Sequence, residues 1–200
     1  MHERCVVKRI LPILLHNSYN LCNFAHVMNT NIFYIRQAVP EDASAIRDIY
    51  APYVEQTAIT YDMVVPTVEE FRESIIELSK EFPYLVAVEG DRVIGYSYAH
   101  KFIARPAANH SVETTIYVER GNRRSGVGRA LYSELEQLLR KQGRRNLYAK
   151  VTWTNVETPY LTNASSFFHE RMGYVKAAHL HQCGYKFNQY FDTLIFEKRL

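Results

Sequence analysis

The chain has 200 residues, 47% apolar, 22% charged and 13% aromatic, with 15 Tyr and 10 Phe, which favours one folded domain and excludes a disordered chain. Its formal charge is +3, and the first 31 residues carry +2 of it (Arg4, Lys8 and Arg9 against Glu3), so the near-neutral remainder offers no electrostatic footprint for duplex nucleic acid. No apolar run reaches the roughly 18 residues of a membrane-spanning helix, and Cys5, Cys22 and Cys183 are an odd set without a C-x-x-C pair, so neither a disulfide framework nor a cysteine zinc site is indicated.

The first segment carries Ile10-Leu11-Pro12-Ile13-Leu14-Leu15 after its basic residues. That stretch is too short, holds a proline and lacks a small-residue cleavage site, so it does not read as a secretion signal, and a reducing cytoplasm is the expected compartment. Residues 1–31 read as an N-terminal extension, with Met28 just ahead of the first strand-like run, Phe33-Tyr34-Ile35-Arg36. An extra packed helix is the alternative reading. The folded domain is expected over 32–200.

From Ile32 onward short apolar runs alternate with helical periods, the pattern of an α/β domain rather than a sandwich or a bundle. Ile46, Ile49 or Tyr50, and Tyr53 form one helical stripe. Thr67-Val68-Glu69-Glu70 is a capping box that opens a second helix, with Val68, Phe71, Ile75 and Leu78 on one face. Residues 84–88 and 92–99 flank the turn Glu89-Gly90-Asp91 and predict an antiparallel hairpin. Val112 to Val118 reads as a central strand. A glycine-rich loop follows, Arg120 to Gly128, and then a helix with Val127, Leu131, Leu135 and Leu138 on one face. Asn146 to Trp153 is a strand, and Ala164, Phe168 and Met172 mark a helix ended by Gly173. Tyr174 to Gln182 and Asp192 to Glu197 are the closing strands.

A glycine-rich loop feeding a helix N-terminus presents unpaired N–H groups beside the positive end of the helix dipole, so phosphate is its natural guest. Leu131 stands where a dinucleotide fingerprint needs its third small residue, and Val127 and Gly128 replace the Lys and Ser or Thr of a P-loop. Arg123-x-x-Gly126-x-Gly128 resembles instead the signature with which GNAT-superfamily N-acetyltransferases hold the coenzyme A pyrophosphate. Ile49 to Val54, Thr57 to Tyr61, Val112 to Val118, Phe168 to Tyr174 and Cys183 to Phe187 together resemble the phosphinothricin N-acetyltransferase-like branch, over Tyr34 to Lys198.

The resemblance implies a mixed sheet that splays between the strand ending at Val118 and the one beginning near Asn146, with the pantetheine arm of acetyl-CoA in the gap. Ile116, Tyr117 and Val118 would meet the arm along the strand edge. Arg123, Arg124, Ser125, Gly126, Val127, Gly128 and Arg129 would hold the phosphates, and Asn163 is the nearest match to an Asn that contacts the arm in relatives. Glu113 falls at the position of the catalytic base. His169 falls where many members carry a tyrosine acid, so it would protonate sulfur or line the thioester pocket. Arg105, with Phe102 beside it, matches a position suited to the carboxylate or phosphinate of an amino-acid-like acceptor. Ala108 and Asn188-Gln189-Tyr190 depart from the branch.

His179, His181 and Cys183 alternate and would share one strand face. With no fourth ligand evident, the expectation is a strand face near the site rim and no metal. The leading function is acetyl transfer from acetyl-CoA to the primary amine of a small amino-acid-like acceptor of the phosphinothricin, methionine sulfone or methionine sulfoximine type, by direct attack with Glu-assisted deprotonation. The alternatives are a catalytically idle acyl-CoA-binding module and a protein N-terminal acetyltransferase. Neither a nucleic-acid nor a membrane partner is expected, and relatives suggest a homodimer.

Overall fold

The computed structural model describes residues 33–122 and 125–200; the N-terminal extension, Arg123 and Arg124 lie outside them. The described chain runs β1 (Phe33–Gln37), α1 (Ala43–Gln56), α2 (Val68–Ser79), β2 (Tyr84–Glu89), β3 (Arg92–Lys101), β4 (Ser111–Val118), α3 (Val127–Lys141), β5 (Asn146–Trp153), α4 (Ala164–Arg171), β6 (Val175–Lys186) and β7 (Gln189–Arg199). The seven strands form one sheet in the order β1-β2-β3-β4-β5-β7-β6. This is the α/β architecture expected from the pattern, with the mixed sheet that the resemblance implies.

Local chemistry explains most boundaries. Thr67 and Glu70 close the capping box, with Glu70 N–H on Thr67 Oγ1 at 3.2 Å and Thr67 N–H on Glu70 Oε2 at 2.7 Å. The α1 stripe Ile46, Ile49, Tyr50 and Tyr53 is buried against a tyrosine-rich face of the sheet that includes Tyr84 and Tyr96. On the opposite face α3 buries Val127, Leu131, Leu135 and Leu139, and the last of these replaces the expected Leu138, which is only partly covered. A fully buried Leu contributes about 1.5–3 kcal/mol relative to exposure, so this stripe fixes how the glycine loop sits on the sheet.

The final hairpin is longer than the sequence pattern predicts. β6 and β7 are joined by Phe187 and Asn188, both left-handed with φ of 51° and 57°. Two successive positive φ values are the signature of the tight hairpin turn whose twist matches the strands. Phe is an uncommon residue for that conformation, which is why the turn carries no sequence signal.

Every neighbouring strand pair is antiparallel except β4 and β5, which run parallel. Their register covers only Ser111, Val112 and Glu113 against Asn146, Leu147 and Tyr148, whereas β4 stays paired with β3 through Val118. Beyond Glu113 the two strands diverge, and the sheet opens where the splay was expected.

Candidate active site

The divergence leaves one edge of β4 facing the opening. Glu119 N–H bonds the Ile94 carbonyl across the β3 side, and backbone groups along a strand alternate, so the polar groups of Thr114, Ile116 and Val118 point toward β5. Two of their carbonyls are reached by tyrosines: Tyr53 Oη donates to Val118 O, and Tyr132 Oη lies 3.5 Å from Thr114 O. Ile116 and Val118 therefore turn their backbone groups toward the opening. Tyr117 does not: its backbone faces β3, and its ring packs edge-on against Tyr50 and Tyr53 at 4.8 and 5.0 Å. Tyr117 still lines the cavity, but not through its backbone edge.

At the end of this edge lies the glycine loop. Gly126 is the N-cap of α3 with φ of +89°, and no side chain caps the helix. That backbone conformation suits glycine and turns the first-turn N–H groups outward, as an anion site requires. A Cβ on Gly128 would stand 3.3 Å from Phe168 and 3.6 Å from Ile116, so the absence of a side chain lets α3 meet α4 and β4 closely. Ser125 Oγ donates to the Asn122 carbonyl at 2.6 Å and folds the loop back, and Arg129 is exposed on the first turn of α3.

The gap itself is a cavity of about 230 Å³, lined among others by Tyr61, Glu113, Ile116, Tyr132, Lys150 and His169. Glu113 faces it from mid-strand with its side chain only 12% exposed. Lys150 Nζ lies 2.9 Å from Glu113 Oε2, and His100 Nε2 lies 3.9 Å from Oε1. Lys150 is half exposed, so its ammonium can turn to solvent when the pair opens. The carboxylate is held in place but not consumed.

His169 lines the cavity from α4 with both ring nitrogens engaged. Nδ1 is 2.8 Å from the Ser165 carbonyl, which only accepts, so the proton sits on Nδ1 and Nε2 receives the Tyr132 hydroxyl at 3.1 Å. Burial lowers the imidazole to about 4, against a smaller opposing effect of the Ser165 carbonyl. The ring is neutral at physiological pH. It fits the pocket-lining role better than that of a cationic proton donor.

The remaining expected residues divide. Phe102 stacks on Tyr148 at 4.1 Å, the residue opposite Glu113 in the β4–β5 register, so it stands beside the carboxylate. Arg105 is exposed on the loop between β3 and β4. Asn163 is spent elsewhere: Nδ2 donates to Thr154 O at 2.9 Å, and Oδ1 accepts from Thr154 N at 3.3 Å. It staples the 154–163 loop and is not among the cavity-lining residues.

Sequence reading missed the opposite wall. Tyr61 packs on Gly184 and reaches Asp192 O and Thr193 Oγ1, both at 3.0 Å. Buried Lys186 donates to the carbonyls of Thr60 and Asp62 at 3.0 and 2.8 Å. Both ends of this clamp lie in motifs singled out for the family, but nothing in their spacing says that they meet. Cys183 does not share the histidine face either. A bulge between Leu180 and Gly184 turns its Sγ toward Thr193 Oγ1, 3.0 Å away.

An open β4 edge, an uncapped glycine-started helix and a carboxylate in the intervening gap define an acyl-CoA-dependent transferase. The model of the acetyltransferase (GNAT) domain family matches residues 35–195, and the chain belongs to that family. A phosphinothricin N-acetyltransferase of Streptomyces coelicolor is 32% identical over 170 residues, covering 83% of this chain and 95% of its own. An L-methionine sulfoximine/L-methionine sulfone acetyltransferase of Salmonella typhimurium is 28% identical, with 83% and 94% covered. Among solved structures, a GNAT superfamily phosphinothricin acetyltransferase from Sinorhizobium meliloti in complex with acetyl-CoA superposes with a TM-score of 0.76 at 28% identity, covering 84% of this chain and 88% of that one. The chain is thus an acetyl-CoA-dependent N-acetyltransferase of the phosphinothricin N-acetyltransferase-like kind. Among the described residues, no helix is long and apolar enough to cross a membrane.

Proposed function

We propose that the acceptor is the primary amine of a small amino-acid-like molecule, of the phosphinothricin, methionine sulfone or methionine sulfoximine type, and that Glu113 removes its proton. The observation that carries this reading is the placement of Glu113: a largely covered carboxylate on the wall of the gap, paired with a half-exposed lysine and with His100 3.9 Å away. Acetyl-CoA, when bound, supplies the acetyl group as a thioester. The chain must then hold it, hold the amine and take one proton; the new N–C bond replaces the C–S bond of the thioester, and the second proton lost by the nitrogen neutralises the departing thiolate.

The open edge at Ile116 and Val118 suits the pantetheine amides, as an added strand would. Loop residues Arg123, Arg124, Ser125, Gly126, Val127, Gly128 and Arg129 offer N–H groups and cations to the phosphates. An alkyl ammonium cannot attack, so Glu113 accepts its proton, directly or through one water, as the nitrogen approaches. Neutral His169 holds the Tyr132 hydroxyl against the same wall. Arg105 offers an exposed guanidinium for the carboxylate or phosphinate of the acceptor, with Phe102 flanking Glu113.

The direct test measures thiol release from acetyl-CoA with amino acids, methionine sulfone, methionine sulfoximine, phosphinothricin and short peptides as acceptors. Turnover with the amino-acid-like amines and none with peptides is expected. Turnover with peptides alone would assign the protein to N-terminal acetylation, and binding of acetyl-CoA with no turnover on any acceptor would contradict the enzyme reading.

A further inference from the structure

Outside the transfer site, β6 and β7 bring together two imidazoles and a carboxylate. His179 Nε2 is 2.7 Å and His181 Nδ1 3.6 Å from the same oxygen, Asp192 Oδ2. One donor atom from each of the three lies within 4.8 Å of the others. We propose that His179, His181 and Asp192 form a binding site for one divalent late transition-metal ion of the zinc or nickel type, separate from the acetyl-transfer chemistry.

The donor set suits such an ion, since neutral imidazole and carboxylate are ligands that zinc and its neighbours share. Bonds of about 2.0–2.2 Å place two ligand atoms on a common ion about 3–3.5 Å apart, and the two observed separations bracket that value. The three donors, within 4.8 Å of one another, must close to that spacing, and His181, 74% exposed, is free to supply most of the movement. The Nε2 proton now shared with Asp192 moves to the other ring nitrogen or leaves to solvent, and the ion takes its place.

The surroundings hold the three groups as outer-shell contacts do in metal sites. Asp192 Oδ1 accepts from the Gln182 N–H at 2.7 Å, which leaves Oδ2 for the ion. That N–H is aimed inward by the β6 bulge, where Gln182 adopts φ of 49°. The His179 ring stands edge-on to Trp153 with centroids 5.1 Å apart. His181 is 74% exposed and leaves the remaining coordination positions open to water. Cys183 is excluded, because the same bulge sends its sulfur toward Thr193.

Calorimetric titration of chelator-stripped full-length protein with Zn²⁺ tests the site. One ion per chain is expected, with His181→Ala and Asp192→Asn each weakening it by at least about 10-fold. His181 is too exposed for its loss to threaten folding, and Asp192→Asn keeps the shape. Cys183→Ser should bind as the parent does. Absence of stoichiometric binding at millimolar Zn²⁺, or parent-like affinity in both ligand variants, overturns the proposal; loss of binding in Cys183→Ser overturns the ligand set.

Discussion

Tyr61 lies so close over Gly184 that a Cβ at position 184 would stand 2.1 Å from the Tyr61 ring. Ring and glycine come from segments more than 120 residues apart, and their contact builds the cavity wall opposite β4. Gly184→Ala must displace the ring, with an overpacking cost of about 1–3 kcal/mol. The expected outcome is a lower melting temperature and a raised KM for the acceptor, with acetyl-CoA affinity retained. Unchanged acceptor KM would show that Tyr61 is no part of the acceptor wall.

Gly126→Ala tests the loop. Space is not the obstacle, since the added Cβ meets nothing within 4 Å, but φ of +89° is a conformation that L-residues rarely adopt. The strain of about 1–2 kcal/mol should reshape the loop and weaken CoA binding measured by calorimetry, roughly 5- to 30-fold if all of it falls on the bound state. Parent-like CoA affinity would remove Gly126 from the anion site.

Arg105→Ala separates acceptor classes. If the guanidinium clamps a carboxylate or phosphinate, acceptors that carry one should lose about 1.5–3 kcal/mol in kcat/KM while simple amines are spared. Equal losses for both would make Arg105 a loop-shaping residue.

His169 predicts an acid sensitivity. Its folded pKa, about 4, lies below the ordinary value of 6.5, so the unfolded chain binds a proton that the folded chain refuses. The stability this contributes is present above pH 6.5 and is lost as pH falls toward 4, at about 1.4 kcal/mol per unit, or about 3 kcal/mol in all. His169→Asn should lose less stability over that window than the parent, as melting curves at pH 7, 5.5 and 4.5 would show. Parallel losses would mean that another group governs acid unfolding.

How far the sequence reveals this molecule follows from the range of each interaction. The capping box at Thr67 and Glu70, the hairpin at Gly90 and the stripe on α3 are set by neighbours a few residues apart, so periodicity and turn chemistry expose them. The glycine loop and the strand that carries Glu113 are legible because backbone conformation and strand pattern are local as well, whereas the role of Glu113 is suggested only by the resemblance. The contacts of Asn163 are not legible in the sequence, since a local match does not tell that its amide meets the Thr154 backbone. Tyr61 on Gly184, Lys186 on Thr60 and Asp192 beside the histidines are long-range pairings. They depend on the β6–β7 register and its bulge, which no single segment encodes.

In the proposed reaction Glu113 takes the proton from the acceptor amine. Glu113→Gln keeps the shape of the side chain and removes the proton acceptor, so steady-state turnover at pH 7 should fall by about 10²–10⁴-fold with acetyl-CoA affinity nearly preserved. The deficit should shrink as pH rises, because more of the acceptor is then neutral before it binds. Turnover equal to that of the parent at pH 7 would contradict this role and remove Glu113 from the mechanism.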